Sequence, residues 1–361
     1  MSSSSSQVET VLITGAGGFL GSLLPTALVQ HEPDTRFNFI LTDTFEPKTP
    51  SFSSPSSSSS FSSSAEHKVH TLSSDLTEPK QVQGLFNTPL GKPDTIYSLH
   101  GIMSLGSEKD FDLGVRVNFD STRELLNCAR RIKEDSGEPV KFVFTSSVAT
   151  YGGALPDVIL PTTACTPEGA YGMAKLMCEY MVTEYSRRGF IDGRSIKLPT
   201  IVVRPGPPSA ATSSFVSAII REPLSGNSTP CPIGKSLDDP LLSQTGIWIA
   251  SPSTTLQNFV LARRIPSSRF PSHSRTVQLP GFKVTVKEIL EALGEVLQGG
   301  EEEVKRMVQF EDDETCRRIV ASWPSEFDVS WAVEELGFKP DSGGIRGVIQ
   351  EFIESQKSKA G

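Results

Sequence analysis

Val11-Leu12-Ile13-Thr14-Gly15-Ala16-Gly17-Gly18-Phe19-Leu20-Gly21 is the stretch on which the reading of this chain turns. An apolar run of strand formers stops at Thr14 and breaks into a glycine-rich turn. Apolar residues resume at Phe19-Leu20 and Leu23-Leu24, the first such positions of a helix. A strand, a glycine turn and a helix in that order offer backbone N–H groups and a positive helix end to a pyrophosphate. Small residues let the phosphate approach the backbone and let the helix close on its strand. The stretch therefore predicts a dinucleotide site. Glycine-rich strand ends also arise for steric reasons alone, so the surrounding chain has to decide.

Working outward, Phe37 to Thr42 reads as a second strand ending at Asp43. The gap from Gly21 to Asp43 is about the twenty residues that separate such a turn from the acid that takes the adenosine ribose hydroxyls. A carboxylate there repels a 2′-phosphate, which favours NAD over NADP. The alternative is an ordinary loop aspartate. Pro47 to Ala65 is nearly all serine and reads as a disordered insertion between strands, as does the polyserine tail at 1–7. Further strands are expected at His67–Thr71, Asp94–Leu99, Val140–Thr145 and Ile196–Val203, with helices over Phe19–Gln30, Asp110–Lys133 and Gly169–Arg187. Continuous apolar strands alternating with helices imply a parallel sheet buried on both faces, the α/β doubly wound class. Ligands in such folds sit beyond the C-terminal strand ends. That singles out Gly15–Gly21, Asp43, Asp75, His100–Ser104 and Ser146–Ser147.

Composition narrows the partners. A net charge of −8 argues against nucleic acid or an anionic membrane surface. No apolar run approaches a membrane span, and the N-terminus lacks a basic region with an apolar core. Five scattered cysteines without a CxxC pair suggest reduced thiols, a cytoplasmic location and no metal site. Beyond Pro207 the texture is richer in proline and serine. Helices are expected there at Ser213–Arg221, Val284–Leu297 and Phe327–Leu336, with Trp331 and Leu336 in the core. The division that follows is a cofactor-binding domain over 8–205 and a mostly substrate-binding region over 206–361, partly interleaved with it.

Tyr171 and Lys175 stand four apart on a helix and leave one face. A tyrosine is a poor base at its ordinary pKa near 10, but a nearby ammonium and a nicotinamide cation lower it. It can then take a hydroxyl proton as hydride leaves the same carbon. Ser147, at the end of the fifth strand, can hold the substrate oxygen. A half-exposed tyrosine over a lysine stem is the plainer reading of this spacing. The serine before it and the dinucleotide turn favour catalysis.

With these residues in view, Thr14–Gly21, the Thr145-Ser146-Ser147 run before Tyr151-Gly152, and Tyr171-Gly-Met-Ala-Lys175 resemble the extended, epimerase/dehydratase-like short-chain dehydrogenase/reductases. Several stretches are similar to the D-erythronate dehydrogenase family, which oxidises a four-carbon sugar acid at its 2-hydroxyl. These include Gly101–Ser104, Asp110–Asn118, Tyr185–Gly206 and Ser213–Gly226. The resemblance implies a Rossmann-type sheet with NAD held by Gly15, Gly18, Phe19, Leu20 and Gly21. Asp43 would take the ribose, Asp75-Leu76 the adenine, and Leu198 and Thr200 would lie beside the nicotinamide with Tyr171 and Lys175. It implies a catalytic set of Ser147, Tyr171 and Lys175, with Asn118 in the proton relay and Ser104 at the site mouth. A homodimer through the helices of Asn118 and Tyr171 is the superfamily habit.

Two features depart from the pattern. His100-Gly101 replaces the usual alanine pair, and the serine insertion lengthens the ribose-side loop. A turn histidine is favoured over a proton-transfer role at His100. A small sugar acid also needs a cation or donors for its carboxylate. Arg204, Arg221 and the helix start at Ser213-Ser214 are the candidates. The expected activity is therefore NAD-dependent oxidation of such an acid. The alternatives are a nucleotide-sugar epimerase or dehydratase, and a non-catalytic NAD-binding regulator.

Overall fold

The computed structural model describes residues 8–52, 67–206 and 212–360. The tail at 1–7 and the serine tract from 53 onward, both expected to be disordered, lie outside the described residues. Pro47 to Phe52 lies within them, and the Phe52 ring stacks on Phe39 at 5.7 Å.

Six strands are β1 (Val8–Thr14), β2 (Arg36–Asp43), β3 (Lys68–Ser73), β4 (Thr95–Ser98), β5 (Val140–Ser147) and β6 (Ile191–Leu198). With a short strand from the far half of the chain, Thr276–Gln278, they form one sheet. Its order is Thr276–Gln278, β6, β5, β4, β1, β2, β3, and every neighbouring pair is parallel. The continuous apolar runs now have a reason. Val11 and Ile13 face Leu24, Leu28 and Phe259, while Leu12 faces the opposite layer with Leu125, Ala129 and Val182. Both faces of the strand are buried, so alternation disappears. Strand order reverses between β1 and β4, which opens a crevice at their C-terminal ends.

Four expected elements differ clearly. The sixth strand starts at Ile191 and stops at Leu198, because Pro199 has no N–H to continue the ladder. Thr200–Ile201 passes to a second sheet beside Gly246–Ala250, which also pairs with Phe282–Thr285. The single helix expected over Asp110–Lys133 is Phe111–Val115, a five-residue π turn at Arg116–Asp120, and Ser121–Ser136. The last of these ends at Gly137, whose φ of +83° suits glycine. In the far half, Val284–Leu297 divides into the strand end at Thr285 and a helix Val286–Val296 that opens on a Thr285/Glu288 capping box. Phe327–Leu336 shrinks to Ser330–Glu334, since Phe327 bridges to Ile159 instead. Leu336 is buried in the core, with Trp331 packed against it.

The far half is stitched to the sheet at more than one point. Helix Pro252–Arg264 runs beside helix Phe19–His31. Arg263, 3 % exposed, pairs with both Glu32 and Glu9, and Arg264 reaches Glu32 at 2.6 Å.

Candidate active site

The glycine turn is shaped by contact as much as by flexibility. Gly15 has a φ of +71°, and a Cβ there would lie 2.7 Å from the His100 backbone nitrogen. A Cβ on Gly21 would come within 2.1 Å of the Gly15 carbonyl oxygen, so the helix could not close on its strand. Gly18 caps helix Phe19–His31 in extended conformation with no side-chain hydrogen bond, and the first helical turn holds no acidic residue. Its leading N–H groups and positive end are left for an anion. These features fit the pyrophosphate of a dinucleotide.

Asp43 ends β2 next to this turn. Its Oδ2 accepts the Gly17 N–H at 3.0 Å, and its Oδ1 accepts the Thr44 N–H at 2.8 Å. Phe45 lies over Gly17, where even a Cβ would meet its ring at 2.4 Å. Asp75 is exposed and caps its own turn through Thr77. The Ser74 N–H donates to the Asp43 carbonyl, which brings the two acids' loops together. Leu76 is packed into the core beneath them with Val82 and Leu85.

The crevice encloses about 200 Å³. Gly15, Gly18, Phe19, Leu20 and Gly21 form one wall, and Ser147, Tyr171, Lys175, Leu198 and Arg204 another, with His100 and Met103 between. Helix Ala170–Arg187 delivers Tyr171 and Lys175 one turn apart, and the end of β5 delivers Ser147. Lys175 is 3 % exposed; its Nζ donates to the Thr145 carbonyl at 2.8 Å and lies 4.8 Å from the Phe144 ring centre. Burial pushes the ammonium down to about 8, against the opposing pull of Cys178 and Glu179. Burial raises the Tyr171 phenol above its ordinary value, while a hydrogen bond from Ser147 and the charge of Arg204 pull it back. Arg204 is thus the cation whose charge lowers the Tyr171 phenol, while Lys175, bonded to the β5 backbone, holds its Nζ 5.7 Å from the Tyr171 ring centre.

The other predicted residues take different places. Asn118, 1 % exposed, sits on the π turn and clamps Ile102: its Oδ1 accepts the N–H and its Nδ2 donates to the carbonyl, both at 3.0 Å. Ser104 is exposed, outside the crevice wall, and the preceding Met103 lines it instead. Thr200 lies in the second sheet, and Ser214 opens helix Ser214–Leu224; neither lines the crevice. Arg221 is also behind the wall. Its Nη1 donates to the Arg204 carbonyl at 2.7 Å, and it pairs with Glu222 at 2.8 Å. Of the two arginines, Arg204 faces the site and Arg221 braces it.

A polar brace beneath Ser147 was not among the sequence expectations. Lys197 pairs with Glu179 at 2.8 Å, both buried, and Ser146 donates to the same carboxylate. Lys197 also donates to Thr150, whose hydroxyl donates to the Ser147 carbonyl at 3.0 Å. An isolated lysine in an apolar strand was the only visible trace of it.

Comparison with known proteins adds to this geometry. Residues 11–239 match the NAD dependent epimerase/dehydratase family. The chain is 40 % identical over 344 residues to a D-erythronate dehydrogenase of Haemophilus influenzae, covering 95 % of this chain and 98 % of that one. It is 35 % identical over 351 residues to a D-erythronate dehydrogenase of Cupriavidus necator, with the same coverage. A crystal structure of a nucleoside-diphosphate-sugar epimerase from Agrobacterium tumefaciens superposes with a TM-score of 0.84 at 33 % identity, over 98 % of this chain and 95 % of that one. The glycine turn, the parallel sheet and these matches agree: this chain belongs to the NAD dependent epimerase/dehydratase family.

Proposed function

We propose that this chain oxidises the 2-hydroxyl of a small sugar acid of the D-erythronate kind to the 2-oxo acid, using NAD. The observation that carries the reading is the meeting of Ser147, Tyr171, Lys175 and Arg204 in one crevice with an uncapped glycine turn. Bound NAD supplies the hydride acceptor. Tyr171 takes the hydroxyl proton, and Ser147 holds the oxygen that becomes the carbonyl. Arg204 favours the phenolate and is the cation available to the substrate carboxylate. Lys175 and Asn118 complete the proton side, and Leu198 lies along the nicotinamide wall. Asp43 and the Phe45 ring beside Gly17 leave little room for a 2′-phosphate, which favours NAD over NADP.

Relatives named D-erythronate dehydrogenase support this reading. An epimerase or dehydratase is the rival, favoured by the sugar-nucleotide epimerase likeness. A dehydratase needs a carboxylic acid at the substrate, and among the described residues the crevice wall has neither Asp nor Glu. Appearance of NADH absorbance with D-erythronate supports the proposal. Turnover of a UDP-sugar without net NADH, and none with erythronate or related aldonates, refutes it.

The same reading assigns 8–205 to the cofactor and most of 206–361 to the substrate. It places the protein in the cytoplasm, where all five cysteines stay unpaired. It gives the chain a homodimer face on the helices of Asn118 and Tyr171, where Phe111 and Tyr180 are exposed. Among the described residues no helix is long and apolar enough to cross a membrane.

A further inference from the structure

We infer that His100 is a positioning residue: its imidazole ties the glycine turn to the π turn carrying Asn118, so the cofactor end and the proton end of the crevice hold one geometry. The inference rests on reading the crevice as a dinucleotide site. Thr14 Oγ1 lies 2.8 Å from His100 Nδ1, and Ser121 Oγ lies 2.7 Å from Nε2. The direction of these bonds can be worked out. The one hydroxyl hydrogen of Ser121 goes to the Val117 carbonyl at 2.5 Å, so its oxygen must accept from His100. Nε2 therefore carries the proton, and Nδ1 accepts from the Thr14 hydroxyl at 2.8 Å, a shorter contact than that hydroxyl's 3.4 Å approach to the Tyr97 carbonyl or the 3.5 Å approach of Ser98 Oγ to Nδ1. The chain runs Thr14, His100, Ser121, Val117, with every donor used and a neutral ring in the middle. Burial and the neighbouring Lys175 charge keep that ring unprotonated.

Both ends of this tie are tight. Thr14 is the last residue of β1, and the Cβ position of the next residue, Gly15, is in contact with the His100 backbone. On the other side Ser121 follows the π turn directly, and Asn118 within the turn holds both backbone groups of Ile102. Gly101 threads between them with φ +155°; a Cβ there would lie 2.7 Å from Asn118 Oδ1 and 3.7 Å from Lys175 Nζ. Residues 100–102 are thus fastened to the phosphate turn by one edge of His100 and to the relay helix by the other edge and by Ile102. Alanine at position 100 cannot make either bond, and single π turns within helices recur at functional sites.

The two ring nitrogens can be tested separately, because an asparagine carbonyl oxygen stands near the Nδ1 position and a glutamine amide nitrogen near Nε2. Hydrogen exchange of the free full-length chain, together with calorimetric NAD binding, is measured for the wild type, His100→Ala, His100→Asn and His100→Gln. The alanine variant should speed exchange at both 14–21 and 116–121 and weaken NAD binding about ten-fold, the scale of one or two lost hydrogen bonds. His100→Asn should restore protection at 14–21 alone, and His100→Gln at 116–121 alone. A merely space-filling histidine would give no such split. Unchanged exchange and NAD affinity in His100→Ala, or Asn and Gln variants that both behave like alanine, overturn the inference. A wild-type chain that binds no NAD removes the functional reading, and the exchange pattern still decides the tie.

Discussion

The Arg204 guanidinium and the Tyr171 phenol act on each other inside the crevice: the cation pulls the phenol toward phenolate, and the phenol favours the charged guanidinium. In the proposed mechanism, oxidation needs the phenolate. Arg204→Met removes the charge, so the phenol titrates higher and the acid limb of kcat/KM moves to higher pH. Activity at neutral pH then falls, while Arg204→Lys keeps the limb nearer its place. A pH–rate profile of NADH formation checks this, and an unmoved limb excludes Arg204 from the role.

Tyr171→Phe keeps the ring that packs in the wall and deletes the proposed proton acceptor. Turnover should fall about 10²–10⁴-fold, the range for a lost general base. NAD affinity by calorimetry should stay within error of the wild type. Retained turnover would transfer the base role to another group.

Asp43 should govern cofactor choice. Asp43→Ser removes the carboxylate proposed to meet the ribose and opens the approach for a 2′-phosphate. KM for NAD should rise about ten-fold, as expected for hydrogen bonds to a charged acceptor, and use of NADP should improve. Steady-state rates with both cofactors give the ratio directly.

Gly21→Ala forces a methyl against the Gly15 carbonyl, a backbone group that cannot swing aside. We expect a loss of about 1–3 kcal/mol in stability from overpacking, together with loss of NAD binding. Gly84→Ala is the control: nothing lies within 4 Å of its Cβ position, and stability should change by no more than about 0.5 kcal/mol. Urea unfolding of the two variants separates strain from any general intolerance of glycine replacement.

Arg263→Met strips the cation from Glu32, which is 2 % exposed, and from Glu9. Removing one partner of a buried pair leaves uncompensated carboxylates and should cost about 3–5 kcal/mol. Arg264 softens the loss at Glu32 only, because it does not reach Glu9. Urea denaturation measures the change. A cost below about 1 kcal/mol, typical of an exposed pair, would mean the cluster is open to water.

The sequence was most legible where backbone chemistry restricts residue choice. Gly15 and Gly21 sit where a side chain collides with the opposite backbone, so the letters themselves report the turn. The meeting of Ser147, Tyr171 and Lys175 was legible because a parallel sheet delivers strand ends and one helix face to a common crevice. β6 was misjudged at its start because Asp192 and Arg194 look like loop residues. In the fold Arg194 is wholly buried, its head bonded to Asp192 and to the Ile265 carbonyl at 2.8 Å. The π turn left no trace, since Arg116–Asp120 has the composition of any helix and Asn118 bonds to a distant loop. Arg204 and Arg221 were equal in sequence. Only the register of helix Ser214–Leu224 puts Arg221 against the back of the Arg204 carbonyl.

The strand Thr276–Gln278 pairs with β6 through Ser195, Ile196 and Lys197. On a ribosome, β6 is made long before its outer neighbour exists. Throughout that interval the nascent sheet carries a raw edge of unpaired amides and carbonyls, the kind of template on which chains stick to one another. A chain interrupted anywhere between Leu198 and Thr276 keeps that edge permanently. The far half of this protein therefore acts toward the near half as a seal added last, and fragments ending in this interval should aggregate although they contain the whole glycine turn.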